Sequence, residues 1–304
     1  MTYKFVVPTL DLNDFRATGA NAHKQTTFLN NLESAYMRYG FCKIRGHKIV
    51  EKTKRELYEA TVKFFTELDT QQKLKYKNPG RSNRGYKAIG DESAKYTNKP
   101  DLKEFFHVGR ELSPEDLARL GYERNVWPDE ISGLRAACLE AYAQFETTAN
   151  EILEAFEMFL DLGRHYFKER TVNGNSVLRL IHYPPLEDDT INAVRAAEHE
   201  DINLITLLIG ADAPGLEILT EDGIWIPINS REDELTVNTG DIMKWLTNER
   251  IGSTTHRVVN PEGDRRKKSR FSMPFFSHPL DSMDIGRGKT AGQFLQERLQ
   301  EIYK

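Results

Sequence analysis

From residue 173 onward, short apolar runs alternate with turn residues, and this pattern restricts the possible folds more than any other feature of the chain. The runs are SVLRLIHY, NLITLLIG, GLEIL, IWIPI, LTVNTGDIMKWL, THRVVN and RFSMPFFS, and turn signals such as EDG, NTG and PEG separate them. Repeated short strands of this kind are typical of an antiparallel sandwich or barrel. We therefore predict a double-sheeted β core over residues 173–280.

The first 172 residues favour helices, because apolar residues recur there at helical spacing. Examples are Phe28, Leu32, Ala35 and Tyr39, then Tyr58, Val62, Phe65 and Leu68, and a long stripe from Leu134 to Phe159 that Gly163 would close. The polar stretch 78–100 is predicted to be a loop or hairpin, and the last residues, from Thr290, return to a helical pattern. The prediction is one domain of mixed α and β class. It has a helical N-terminal shell (1–172), a double-stranded β-helix or jelly-roll core (173–280) and a C-terminal helical tail (281–304).

The charge balance argues against two kinds of partner. Lys plus Arg number 42 and Asp plus Glu number 46, so no basic surplus favours nucleic acid or an anionic membrane. The basic run Arg265 to Lys268 is predicted to be a solvated loop. We expect a monomer or weak oligomer without a nucleic-acid or membrane partner.

The cysteines and the chain start indicate a compartment. Cys42 and Cys138 are predicted to be buried thiols rather than a disulfide, as in a reducing environment. The start MTYKFVVPTL has no signal-peptide pattern, and no apolar stretch reaches the roughly 18 residues that span a bilayer. We therefore expect a cytoplasmic protein.

Three residues form a candidate metal site. His199 and Asp201 lie two positions apart beside the run NLITLLIG, and His256 lies in THRVV. In an extended chain, residues i and i+2 project to the same face, and sheet pairing would bring His256 opposite them. Two imidazoles and one carboxylate occupy one face of an octahedron and leave the other positions open, which is the ligand set of a ferrous oxygenase. An ordinary surface tripeptide and a zinc hydrolase remain as alternatives, although no HExxH helix supports the zinc enzyme.

A candidate carboxylate-binding group follows on the next strand-like run. Arg270 and Ser272 alternate with Phe271, so they share a face. A guanidinium binds a carboxylate through two parallel hydrogen bonds, and a neighbouring hydroxyl adds a third. Tyr183, in IHYPP, is a further hydroxyl candidate, and Arg179 shares its face.

The order of these motifs resembles the isopenicillin N synthase-like family of iron(II)/2-oxoglutarate oxygenases, nearly from end to end. VPTLDL, YGFCKIRGH and LKEFFHVG are similar to the family's opening strand, its GFF-x-x-x-NHG stretch and its KE-x-F-x-x-G segment. IHYPP, PGLEIL, GIWIPI, VNTGDIMKWLTN and HRV then follow in family order. Three departures are Glu200, where Thr is frequent, His182, where Asn or Tyr is common, and the insertion RRKK before Arg270.

The resemblance implies the roles of the site residues. His199, Asp201 and His256 would bind Fe(II), while Arg270 and Ser272, assisted by Tyr183, would bind the distal carboxylate of 2-oxoglutarate. Dioxygen would then oxidise 2-oxoglutarate to succinate and carbon dioxide, and a C–H bond of a small-molecule substrate would be oxidised, most often by hydroxylation.

Substrate identity is not readable from the sequence. The candidate pocket residues are Arg179, Arg84, Tyr86, Phe106 and Phe271, and a carboxylate on the substrate is expected if Arg84 or Arg179 lines the pocket. Three other functions remain open: an oxidase of the same fold that needs no 2-oxoglutarate, as in isopenicillin N synthase or aminocyclopropane-carboxylate oxidase, an ethylene-forming relative, and a non-catalytic jelly-roll binding module.

Overall fold

The computed structural model describes residues 6–78, 83–92, 101–186, 195–210 and 215–302. Within these ranges the helices are α1 (Leu12–Phe15), α2 (Ala22–Tyr39), α3 (Glu51–Glu67), α4 (Thr70–Leu74), α5 (Pro114–Leu120), α6 (Leu134–Phe159), α7 (Tyr166–Thr171), α8 (Asp241–Leu246) and α9 (Ala291–Ile302). The strands are β1 (Thr9–Asp11), β2 (Phe41–Arg45), β3 (Gly85–Lys87), β4 (Glu104–Gly109), β5 (Val177–Tyr183), β6 (Ala196–His199), β7 (Ile205–Ile209), β8 (Leu216–Leu219), β9 (Trp225–Pro227), β10 (Leu235–Thr239), β11 (His256–Val258), β12 (Arg270–Ser272) and β13 (Pro274–Ser277).

These strands form two sheets. The larger sheet has the order β1-β2-β10-β7-β13-β5-β4-β3, and β12 pairs with the end of β5; the smaller sheet has the order β6-β11-β8-β9. Neighbouring described strands are antiparallel except for the parallel pair β1 and β2. Side chains of both sheets meet in one buried cluster, in which Phe105, Ile181 and Tyr183 of the larger sheet contact Ala196 and Val258 of the smaller one. The two sheets therefore enclose an interior, as in a jelly roll.

The N-terminal part is more than a helical shell. Strands β1 to β4 come from the first 172 residues, and they extend both ends of the larger sheet. The stretch 78–100, predicted to be a loop or hairpin, contains β3, which pairs antiparallel with β4 just beyond it; residues 79–82 and 93–100 lie outside the described ranges. Strands of three to six residues show too little periodicity to stand out in a sequence dominated by long helical stripes.

Helices α3 and α6 cover the outer face of the larger sheet. Phe64 of α3 packs on Phe106 of β4 with ring centroids 4.8 Å apart, and Phe145 of α6 stacks on Phe275 of β13 at 5.5 Å. One continuous hydrophobic cluster extends from Leu10 to Phe294 and so includes both halves of the chain. The end of α6 falls at Phe159, with Leu160 as its C-terminal cap, rather than at Gly163.

The two cysteines are free and buried, as the sequence predicted. Burial raises the pKa of the Cys42 thiol to about 12, which keeps it protonated and unreactive. Among the described residues, no helix has both the length and the apolar character needed to cross a membrane.

Candidate active site

The three predicted metal ligands converge beside the first two strands of the smaller sheet, β6 and β11. Strands β6 and β11 pair antiparallel with His199 directly opposite His256, and the two ring centroids lie 4.4 Å apart. Asp201 follows β6 and is buried. Its Oδ1 atom lies 4.0 Å from Nε2 of His199 and 3.8 Å from Nε2 of His256. One ion can therefore contact all three side chains.

Backbone carbonyls orient both imidazoles. Nδ1 of His199 lies 2.8 Å from the carbonyl oxygen of Ala197, and Nδ1 of His256 lies 3.0 Å from that of Thr254. A carbonyl oxygen only accepts, so each Nδ1 carries the proton and donates it. Each Nε2 then presents a lone pair toward Asp201, which is the arrangement of a metal-binding histidine.

Asp201 is held by two neighbours through its other oxygen. Thr206 Oγ1 and Asn238 Nδ2 donate to Oδ2 at 2.5 and 2.7 Å, which leaves Oδ1 directed at the histidines. Burial acts to raise the pKa of Asp201, but His256, His199 and the two hydrogen bonds outweigh it, so the pKa is lowered. Burial, together with the charge of His256, lowers the pKa of His199 to about 4. A neutral imidazole and an ionised carboxylate are the forms that bind a metal, so these residues fit Fe(II).

The predicted carboxylate-binding residues lie deeper between the sheets. Strand β12 pairs with β5 so that Arg270 stands opposite Tyr183 and Ser272 opposite Ile181. The Arg270 guanidinium carbon lies 5.0 Å from the centroid of the Tyr183 ring, and Arg270 is only 2 % exposed. Because Tyr183 and Ile181 belong to the cluster shared by both sheets, Arg270 and Ser272 face the jelly-roll interior.

A cavity of about 370 Å³ opens beside the predicted metal ligands. Its walls include His199 and Asp201, the predicted substrate residue Arg179, and Phe276 and His278 from the end of β13. Helix α9 closes one side with Leu295, Arg298 and Leu299. A small molecule held in this cavity would lie against the metal site.

The other predicted substrate residues lie elsewhere. Tyr86, Phe106 and Phe271 project from the opposite face of the larger sheet and pack in the hydrophobic cluster beneath α3. Arg84 lines a separate cavity of about 130 Å³ and donates to the side chain of Asn175 at 2.8 Å. The structure does not bring these four residues to the metal site, and we do not carry them into the proposed substrate site.

Sequence reasoning missed a buried charged cluster in the cavity wall. Lys103 Nζ lies 2.7 Å from Glu92 and 2.9 Å from Asp101, and Nη1 of Arg179 lies 3.6 Å from Glu92. Burial acts to raise the pKa of Glu92, but Lys103 and Arg179 lower it to about 2. Lys103 stands in the motif LKEFFHVG, which signalled the family but not a place in the cavity.

A jelly roll that carries two histidines and one carboxylate beside a cavity is typical of the class of non-haem metal-dependent oxygenases. Comparison with known proteins agrees. Residues 7–130 match the family described as "non-haem dioxygenase in morphine synthesis N-terminal", and residues 174–279 match the 2OG-Fe(II) oxygenase superfamily.

Relatives that match over nearly their whole length carry related descriptions. The proline hydroxylase buaE of Petromyces alliaceus is 30% identical, with 98% of this chain and 99% of that protein covered. The crystal structure of a 2OG-Fe(II) oxygenase family protein from Caulobacter crescentus is 36% identical, covers 97% of this chain and 99% of that one, and has a TM-score of 0.86. A full-length Neurospora crassa protein, crystallised in complex with alpha-KG, is 26% identical, covers 99% and 98%, and also has a TM-score of 0.86.

This chain belongs to the 2OG-Fe(II) oxygenase superfamily. It is a 2-oxoglutarate-dependent dioxygenase that uses Fe(II), 2-oxoglutarate and dioxygen and acts on a small molecule.

Proposed function

We propose that His199, Asp201 and His256 hold the Fe(II) ion of this oxygenase. The observation that carries the assignment is the convergence of two Nε2 atoms and Oδ1 of Asp201, each directed by a hydrogen bond on its other polar atom. With iron and 2-oxoglutarate bound, dioxygen oxidises the co-substrate to succinate and carbon dioxide and delivers its second oxygen atom to a C–H bond of the substrate.

Arg270, Ser272 and Tyr183 bind the distal carboxylate of 2-oxoglutarate. The support is their shared face in the interior and the burial of Arg270, where a charged hydrogen bond to a carboxylate is strong. Such a contact fixes the position and direction of the bound 2-oxoglutarate, so that its keto acid end reaches the proposed metal ligands. Val258 of the smaller sheet belongs to the same buried cluster as Tyr183, so this part of the interior is apolar.

The substrate lies in the cavity against Arg179. This guanidinium lines the cavity and is placed to bind an acceptor group, and a carboxylate on the substrate suits it best by charge. Leu295 and Leu299 of α9 supply an apolar wall on which the remainder of a small molecule can pack.

A neutral substrate is the second candidate, and Glu92 favours it. Lys103 and Arg179 carry two positive charges, and Glu92 and Asp101 carry two negative charges, so this wall has no surplus charge for an anion. A carbonyl oxygen next to an N–H group would bind Arg179 and Glu92 together. One further structure of the Neurospora crassa protein contains 5-formyluracil, which has such a pair.

The decisive experiment is a comparison of alanine variants in an assay of succinate release. His199→Ala, Asp201→Ala and His256→Ala should each nearly abolish iron-dependent turnover, because two ligands hold the ion poorly. His23→Ala, at an exposed position on α2, is the matched control and should retain activity. Full activity in any of the three site variants contradicts the assignment.

A substrate screen tests the rest of the proposal. Small carboxylic acids and neutral amides or ureides are added separately, and stimulated succinate release is measured together with ethylene. Stimulation by acids supports the carboxylate proposal, and stimulation by neutral compounds supports the second candidate. Turnover without 2-oxoglutarate would contradict the proposed role of Arg270.

A further inference from the structure

We propose that His107 is a positioning residue for substrate recognition, whose imidazole holds the Arg179 guanidinium in the orientation that directs it into the cavity. The inference rests on the proposed role of Arg179 and adds the group that fixes it. His107 does not line the cavity itself, so it acts through Arg179.

The sheet register places the two residues side by side. Strands β4 and β5 pair antiparallel with His107 directly opposite Arg179, and their side chains project to the interior face. Arg179 Nε donates to His107 Nε2 at 2.5 Å. This hydrogen bond holds the guanidinium at its Nε atom, while Arg179 lines the cavity.

Neighbouring groups restrict the remaining freedom of Arg179. Its guanidinium carbon lies 4.3 Å from the centroid of Phe105 and 5.1 Å from that of Phe276, so aromatic rings contact it as in a cation–π pair. Nη1 lies near Glu92, at 3.6 Å. The contacts among the described residues thus engage Nε and Nη1, and Nη2 is the atom left for a ligand in the cavity. A binding group that is fixed before the ligand arrives loses less entropy on binding.

His107 has the protonation state that this role needs. Burial, followed by the positive charge of Arg179, lowers the pKa of His107 well below its ordinary value, so the imidazole is neutral. Nε2 accepts from Arg179, so the proton resides on Nδ1. Nδ1 has no hydrogen-bond partner among the described residues.

Burying a polar imidazole costs free energy that burying a phenyl ring of similar size would not cost. The two neighbouring interior positions hold Phe105 and Ile181, whose buried side chains have no polar atom. The acceptor at Nε2 is therefore the property that distinguishes histidine at this position.

The experiment compares His107→Phe, which keeps a ring but removes the acceptor, with His107→Gln, which retains an acceptor oxygen. The first readout is the ¹H–¹⁵N signal of the Arg179 Nε–H in full-length protein loaded with Zn(II) and 2-oxoglutarate, identified by its loss in Arg179→Gln. The second is KM and kcat for the first compound that stimulates succinate release in the screen above.

We expect His107→Phe to lose the slowly exchanging Nε–H signal and to raise KM about tenfold at nearly unchanged kcat, the size expected for one orienting hydrogen bond to a charged group. His107→Gln should restore both readouts. A protected Nε–H signal in His107→Phe overturns the inference, as does a fall in kcat without a change in KM.

The two proposals fail in different ways. If Arg179→Gln raises KM but His107→Phe does not, only the inference about His107 is overturned. If Arg179→Gln leaves KM unchanged, Arg179 does not bind the substrate, and the proposed substrate site is overturned together with it.

Discussion

Single hydrogen bonds determine which atoms of the proposed metal site are available to bind an ion. Asp201 has two oxygens, and donors from Thr206 and Asn238 engage Oδ2, so that Oδ1 faces the histidines. Each histidine likewise donates from Nδ1 to a backbone carbonyl, so that its Nε2 atom faces Asp201. The residues that donate to or accept from these side chains therefore matter for metal binding as much as the ligands themselves.

Thr206→Val tests the support of Asp201. The substitution keeps the shape of the side chain but removes the donor to Oδ2, so the carboxylate can rotate away from the site. We expect Fe(II) affinity to fall about tenfold or more, measured by anaerobic titration. Thr206→Ser retains the hydroxyl and should bind nearly normally; equal affinities for the valine and serine variants would show that the hydroxyl is not needed.

Arg270→Leu tests the proposed co-substrate anchor. Without the guanidinium, a buried carboxylate of 2-oxoglutarate has no charged partner, so binding should weaken by about 3 kcal/mol. Calorimetric titration of 2-oxoglutarate measures this change. Arg119→Leu, on the exposed side of α5, is the control, and the same affinity in both variants would remove Arg270 from the site.

At the scale of elements, the C-terminal end of α2 is linked by hydrogen bonds to the proposed metal site. Gly40 ends α2 with a φ of 62°, and β2 begins at the next residue. Thr254 lies against it, donates from Oγ1 to the carbonyl of Tyr39 at 2.9 Å, and accepts from His256 Nδ1 through its own carbonyl. The turn between α2 and β2 therefore helps to position His256, a proposed metal ligand that is distant in sequence.

Gly40→Ala should disturb both stability and metal binding. A Cβ atom at this position would lie 2.0 Å from Thr254 Oγ1, so Thr254 must move. Gly121→Ala is a matched control, because Gly121 also has a positive φ, of 73°, but has nothing within 4 Å of the added atom. We expect Gly121→Ala to lower the free energy of unfolding by about 1 kcal/mol through backbone strain alone.

Gly40→Ala should cost clearly more than its control and also weaken Fe(II) binding. Urea denaturation and anaerobic metal titration measure the two effects. Equal stability losses in the two variants would mean that the Thr254 contact has no energetic consequence.

At the scale of the whole molecule, a buried carboxylate joins the helical shell to the larger sheet. Glu104 of β4 accepts from Lys73 of α4 at 2.8 Å and from the Tyr86 hydroxyl of β3 at 2.5 Å, and it lies 2.8 Å from Nδ1 of His182 on β5. Burial acts to raise the pKa of Glu104, but these hydrogen bonds and Lys73 outweigh it, and the pKa is lowered.

This network predicts part of the acid sensitivity of the protein. Because the pKa of Glu104 is lower in the folded than in the unfolded chain, its contribution is complete above the ordinary Glu pKa of about 4.3 and is lost as the pH falls below it. Glu104→Gln should therefore be less stable by about 3 kcal/mol near neutrality, where Lys73 loses its charged partner. The difference from the unmodified protein should shrink in acid.

Urea denaturation of both proteins at a series of pH values measures that difference. Exposed Glu115 provides the control substitution, Glu115→Gln, which should leave stability nearly unchanged at every pH. A difference for Glu104→Gln that stays constant into acid would contradict the linkage.

Features that depend on local spacing and motif order could be predicted from the chain alone. The alternation of side chains along a strand put His199 beside Asp201, and put Arg270 beside Ser272. Helical periodicity likewise located α6 and α9, and the short apolar runs separated by turn residues predicted the jelly roll.

Which face of each strand lies inside became clear only in the folded molecule. Alternation separates Phe105 from Phe106 but does not say which one lies on the cavity side, because both faces of β4 are buried and each carries one of these rings. Helix α3 covers the face of Phe106, and the smaller sheet covers that of Phe105. The cluster of Glu92, Lys103 and Arg179 could not be predicted from the sequence either. Its members come from distant segments, which meet only when the sheets pack together.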